Sequence, residues 1–311
     1  MTALFSPAVI GIAVGIIVAR SSEWRVPVRS TNALAFVVLG LLGAKSGLAV
    51  TEDPAGLRQV VVICAIVAAT SAILARGAFG WIAQLGPADS GALGVHYASV
   101  SVATFPILTT YLERAGFQIS SRISATFVVL EILGILAGLT IAAVGGAGVG
   151  GWGRALRDML VGRSIVALTV GFAAMSLIGP EVPAEVTSTV RVAFASLLPV
   201  YMVTVGIMLG SRLHELRLIT ARLFGTVILV SICTAAIAAV VAQIASWSIP
   251  ETAALMVMAA SASYVAAPGI VARAIPDASP AIYVTCAVMV TFPLNVVIGI
   301  PGFVAIARGI G

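Results

Sequence analysis

"SASYVAAP", Ser261 to Pro268, sits inside a long apolar run from Glu251 to Arg273. A helix buried in an apolar medium gains nothing from two hydroxyls, a row of small residues and a proline at its centre. Nearly the same stretch, "SVSVATFP", occurs 162 residues earlier, from Ser99 to Pro106. Both read Ser-x-Ser-x-x-x-x-Pro. Proline lacks an N–H and clashes with the turn before it, so it interrupts a helix interior, yet it is accepted at a helix start. The spacing predicts two half-helices per segment, the second beginning at Pro106 or at Pro268.

The surrounding composition says where such segments live. The 311 residues are 60% hydrophobic and 9% charged, with a mean hydropathy of +1.14, whereas a soluble domain carries about 25% charged residues. The chain belongs in a bilayer, whose core is crossed by about 20 apolar helical residues. Ten such segments are predicted: 5–20, 32–50, 58–80, 90–112, 122–144, 163–179, 192–211, 220–245, 251–273 and 281–306. The net charge of +5 is dispersed over short loops with no basic run interleaved with aromatics, which argues against a nucleic-acid partner. It speaks instead to orientation. With the N-terminus outside, Arg20, Arg25, Arg29, Arg76, Arg154, Arg157, Arg163, Arg212, Arg217, Arg222 and Arg273 fall on the cytoplasmic side, and only Lys45, Arg58, Arg114, Arg122, Arg191 and Arg308 outside. The excess of cytoplasmic Lys and Arg predicts a multi-pass protein of the plasma (inner) membrane with both termini outside. The first segment has no basic residue before it, the reverse of a cleaved signal. Cys64, Cys233 and Cys286 all fall within segments and read as small packing residues, without metal or disulfide spacing. Trp24, Trp81, Trp152 and Trp247 stand at segment ends, as interfacial anchors do.

A Gly-rich stretch, "GGAGVGGWG" (Gly145 to Gly153), has five segments before it and five after. It divides the chain into 1–144, a cytoplasmic linker 145–162, and 163–311. "ALGVHYASVSVATFP" (Ala92 to Pro106) is echoed by "ALMVMAASASYVAAP" (Ala254 to Pro268), and "VGIIVARSSEWRVP" (Val14 to Pro27) more thinly by "VGFAAMSLIGPEVP" (Val170 to Pro183). A repeat of five spans reverses direction across the membrane. The expected fold is therefore all-α and integral to the membrane: ten helices in two inverted five-helix repeats, the fourth and ninth broken. Inverted repeats mark secondary transporters, whose substrate site lies near the midplane.

The broken helices suggest the chemistry. A helix start carries unpaired N–H groups and partial positive charge and binds anions. The second halves of the fourth and ninth segments point such starts at one depth from opposite sides. Ser99, Ser101, Thr104, Ser261 and Ser263 add hydroxyls, and neighbouring alanines let backbone come close. Ordinary helix packing also uses Ser and small residues. Glu131, midway in "FVVLEILGILAGL", is the other oddity. An intramembrane carboxylate marks function by default, as a cation ligand or proton carrier; the alternative is a structural group bonded to a neighbouring helix. Asn295, with Thr291 and Pro293 beside it, offers a carbonyl oxygen to a hard cation or packs between helices. His96 reads as a lining or packing residue, and Lys45 can snorkel. A remote alternative, an intramembrane serine hydrolase, needs a Ser within reach of a His. Only His96 and His214 exist, and no Gly-x-Ser-x-Gly, His-Glu-x-x-His or paired transmembrane Asp is present, so the chain is not expected to be an enzyme.

At these residues the chain resembles the sodium-dependent bicarbonate transporter family, over nearly all its length. The similarity is densest in "SASYVAAPGIVARAIPDASPAIYVTCAVMVTFPLNVVIGIP" (Ser261 to Pro301) and in "HYASVSVATFP" (His96 to Pro106). The resemblance implies gate and core domains, elevator-like movement of the core, a homotrimer, and Na⁺-coupled uptake of bicarbonate with no other cofactor. It implies substrate contacts from Ser101, Val102, Ala103, Thr104, Ser261, Ser263 and Tyr264, to which the reading of the residues adds Ser99, and a cation contact from Glu131, to which the same reading adds Thr291 and Asn295. Departures are visible: Ala103 replaces a hydroxyl residue, Tyr264 an acidic one, Ala266 a small polar one, and Glu131 an Asp. The family's long cytoplasmic insert shrinks here to Gly145–Arg163, which argues against a regulatory protein partner. Another small anion or carboxylate, coupled to Na⁺ or protons, is the alternative cargo.

Overall fold

The computed structural model describes residues 7–21, 27–50 and 54–311; Trp24 and Arg25 lie outside them. The described chain is helical throughout, without strands: α1 (Pro7–Ser21), α2 (Val28–Val50), α3 (Pro54–Trp81), α4 (Pro87–Ala98), α5 (Thr104–Arg114), α6 (Ser121–Val144), α7 (Trp152–Leu160), α8 (Arg163–Ile178), α9 (Ala184–Arg212), α10 (Ala221–Ile244), α11 (Ile249–Ala259) and α12 (Ala267–Ala274). The last helical stretch, Pro280–Ile310, contains α13 (Pro280–Thr285), α14 (Phe292–Leu294) and α15 (Ile300–Ile310), joined by two π-helical segments.

Six of the described helices are long and apolar enough to cross a bilayer unaided, and α7 with α8, bent by 59°, would make a seventh. The chain is thus a multi-helix membrane protein. Two of the ten expected segments are not continuous helices. α4 stops at Ala98 and α5 resumes at Thr104; α11 stops at Ala259 and α12 resumes at Ala267. At 1.5 Å per residue, α4 is about 18 Å long and α12 about 12 Å, against a hydrocarbon core of about 30 Å. Neither resumption begins on its proline. α5 starts two residues before Pro106 and α12 one residue before Pro268. The first turn of a helix has no intrahelical N–H bonds to lose, so a proline two places in is as well tolerated as one at the start. Two further boundaries differ. α9 begins at Ala184 rather than 192 and runs through Pro199, and 145–162 holds the nine-residue α7 rather than loop alone.

The helices sort into two packed sets. α1 lies along α9 and α2 along α8, with α2 also touching α9. Glycines set these distances: a side chain at Gly15 would collide with the backbone at Val203 and Gly206, and one at Gly171 with the backbone of Gly40. In the second set, α3 packs on α6, α4 and α10, α4 on α6, and α11 on α10 and α15. The principal bridge between the sets is α2 against α6. Exposed apolar side chains such as Ile17, Leu177, Val192 and Ile298 suit a lipid-facing exterior. Trp247, in the turn between α10 and α11, is buried at 6% exposure against neighbouring protein.

Candidate functional site

The two helix interruptions meet. Ser99, at the end of α4, adopts extended backbone (φ −109°, ψ 174°), which turns its hydroxyl and the next N–H away from the helix ladder. Both go to one carboxylate. Glu131 of α6 accepts hydrogen bonds from Ser99 Oγ and, at 3.0 Å, from the Val100 N–H on Oε2. Its other oxygen, Oε1, accepts from Ser263 Oγ at 3.1 Å. The carboxylate is 1% exposed and joins the first interruption to the second. α6 comes this close because it carries Gly134 one turn on: a Cβ there would collide with the Ala98 carbonyl and Ser99 Cα, and one at Gly138 with Val95.

Three further bonds cross between the interruptions. The Ser101 N–H donates to Ser261 Oγ at 2.9 Å, and that hydroxyl donates to the Met258 carbonyl at 2.7 Å. The Ser263 N–H donates to the His96 carbonyl at 2.8 Å, and His96 Nδ1 lies 2.5 Å from the Ser263 carbonyl. A carbonyl only accepts, so Nδ1 carries the proton. The serines also start the second half-helices: Ser101 Oγ accepts from the Thr104 N–H at 3.2 Å and Ser263 Oγ from the Ala267 N–H at 3.4 Å. The residues expected at the substrate site, Ser99, Ser101, Val102, Ala103, Thr104, Ser261, Ser263 and Tyr264, are all buried, and both Ser-x-Ser pairs lie in one network. Tyr264 packs edge-on against Phe292 at 5.7 Å. Its hydroxyl faces Ser101 and Tyr201 of α9 without closing a hydrogen bond. Thr104 Oγ1 and His96 Nε2 are likewise buried without partners. Buried polar groups are nearly always paired, so unpaired ones here are positions a polar ligand can satisfy.

The residues expected to hold a cation fall in two places. Glu131 is engaged with the serines. Thr291 and Asn295 line a separate cavity of about 170 Å³ with Ala260 and Ser231. Thr291 ends the first π-helical segment and Asn295 opens the second; π-turns are frequent at functional sites, and Pro293 between them removes a ladder N–H. Thr291 Oγ1 bonds the Tyr97 hydroxyl at 2.5 Å, and Asn295 Nδ2 donates to the Val257 carbonyl at 2.9 Å. Asn295 Oδ1 is left buried and unpaired. No cluster of three His, Cys, Asp or Glu able to hold a metal exists among the described residues. Sequence reasoning missed His96 as a clasp and Gly134 and Gly138 as spacers. The Gly-x-x-x-Gly spacing after Glu131, a close-packing signal in membrane helices, would have found the glycines.

The His96 ring meets a main-chain carbonyl, not a serine hydroxyl. The geometry is that of a membrane protein with two interrupted helices meeting in a buried polar network. The Na⁺-dependent bicarbonate transporter superfamily model matches residues 7–308, and the chain belongs to that family. No curated protein matches the chain.

Proposed function

We propose that the chain is a secondary active transporter that carries bicarbonate inward together with Na⁺. The observation that carries this reading is the polar network across the two helix interruptions, in which Ser99 and Ser263 donate to Glu131 and the Ser101 N–H donates to Ser261. In this reading α1–α6 and α8–α15 are inverted repeats of five spans each, joined through 145–162, with α4/α5 and α11/α12 as the broken fourth and ninth. The reciprocal pairing of α1 with α9 and α2 with α8 supports it. That set forms the gate, and the set around α6 forms the core that moves as an elevator. Three copies assemble in the plasma membrane, termini outside.

The anion sits against the starts of α5 and α12 with the serine hydroxyls, where helix-start charge and N–H groups favour it. Moving one negative charge inward against 100 mV costs about 2.3 kcal/mol, and a co-transported Na⁺ cancels that cost. Na⁺ is cargo, drawn to oxygen ligands from Glu131, or from Asn295 Oδ1 and Thr291. Uptake of radiolabelled bicarbonate into proteoliposomes tests the reading. A Na⁺ gradient should drive accumulation. Uptake driven by a pH gradient alone, or of another carboxylate in preference, would overturn it. The second cargo has one observation in its favour: Tyr264 presents a buried, unpaired hydroxyl beside the serines, a neutral group to pair with an anion.

A further inference from the structure

A cavity of about 470 Å³ lies where α2, the α7–α8 corner and the start of α12 meet. It reaches the second interruption at Ala266 and opens past Gly269 to Arg163, Ser164, Asn32 and Arg273. Among the described residues its charge is unbalanced. Arg273 shares the Asp158 carboxylate at 3.5 Å, while Arg163 makes no ion pair with a described residue and is exposed. Ser164 and Asn32 add a hydroxyl and an amide, and among the described residues no carboxylate lines the cavity. A second polar cavity of about 520 Å³ lies at the opposite end of α2, around Lys45, Glu113 and Arg191. It does not reach residues 99–104 or 260–266. Of these two polar cavities, the one beside Arg163 is the one that reaches the second interruption, at Val265 and Ala266.

We infer that this cavity is a second anion site, a release vestibule for a small monovalent oxyanion leaving the helix interruptions, with the Arg163 guanidinium as its principal attractor. The inference rests on the reading of the chain as an anion carrier. A planar guanidinium presents several N–H donors in one fork and matches a carboxylate-like anion bidentately. Cationic walls also concentrate anions in a narrow low-dielectric cleft, by a factor of about 10 or more. Arg163 thus holds the anion after it leaves the serines and before it meets bulk solvent.

The site can be probed without relying on transport. A side chain built at Gly269 meets no atom within 4 Å, and the same holds at Gly153 on α7. Either position accepts a cysteine. In a Cys233→Ala background, Cys64 and Cys286 stay buried. Gly269→Cys protein, purified in detergent at fixed ionic strength, is modified with anionic and cationic methanethiosulfonates of similar size. The anionic reagent should react about tenfold faster, and sodium bicarbonate or sodium formate should slow it in a saturable way. Arg163→Gln should remove most of the charge preference and the protection; Arg163→Lys should retain the preference and weaken the protection; Gly153→Cys, outside the cavity, should show no protection. Equal rates for the two reagents, or protection that survives Arg163→Gln, would overturn the inference. A carrier that moves formate rather than bicarbonate would overturn the previous reading and still show Arg163-dependent protection, so the two failures are distinct.

Discussion

Glu131 accepts three hydrogen bonds from donors on two interrupted helices, and its replacements separate its possible roles. Glu131→Gln keeps the shape but substitutes a donating NH₂ for one accepting oxygen: the amide oxygen can keep Ser99 and Val100, and the NH₂ then faces Ser263 Oγ, which must accept instead of donate. If the carboxylate also faces the coupling cation, Glu131→Gln raises the Na⁺ concentration for half-maximal transport far more than it changes anion affinity at saturating Na⁺. Kinetics over a Na⁺ series checks this; an unchanged Na⁺ dependence leaves Thr291 and Asn295 as the cation ligands. The serines give a second expectation. A hydrogen bond to a charged group contributes about 1.5–3 kcal/mol. Ser101→Ala with Ser263→Ala should then weaken anion affinity by roughly tenfold or more on that range, and binding calorimetry reads it directly. Normal affinity in the double variant would return both residues to packing.

Among the helices, α6 sets the geometry of the site, because Glu131, Gly134 and Gly138 share the face against α4. Gly134→Ala places a Cβ against the Ala98 carbonyl and Ser99 Cα, so the end of α4 must shift where Ser99, just past its last residue, bonds Glu131. Overpacking of this kind costs about 1–3 kcal/mol. Gly134→Ala should lower the melting temperature and reduce transport, while Gly225→Ala, whose new methyl meets nothing within 4 Å, should do neither. A Gly134→Ala protein with parental melting and transport would show that the α4–α6 contact is not tight. The final stretch teaches a related lesson. Its proline and polar residues stand out in the sequence, but the partner that α11 offers Asn295, the Val257 carbonyl, does not.

For the whole molecule, two predictions concern assembly and orientation. Native mass spectrometry should give about three times the 31.5 kDa chain mass if the carrier is a homotrimer; a monomer in mild detergent and in nanodiscs would remove that proposal. Tags at both termini should be reached by an impermeant reagent added to intact cells. A tag reached only after lysis would reverse the orientation and place the Arg163 cavity outside.

Composition and segment-scale apolarity alone determined that this chain lives in a bilayer as a bundle of helices, because that cost is summed over whole segments and needs no knowledge of neighbours. The Ser-x-Ser and proline spacing likewise located both interruptions to within a few residues, since proline acts on its own turn. Which residues meet was decided only by the tertiary structure. Glu131 could be read as ion ligand, proton carrier or strut, and nothing local distinguishes these. Its partners lie 31, 32 and 132 residues away and reach it only because glycines let α4 and α6 close. The His96 clasp and the separation of Asn295 from Glu131 are of the same kind: a buried polar group takes its meaning from partners brought to it by packing, and those contacts have no signature in the run of residues around it.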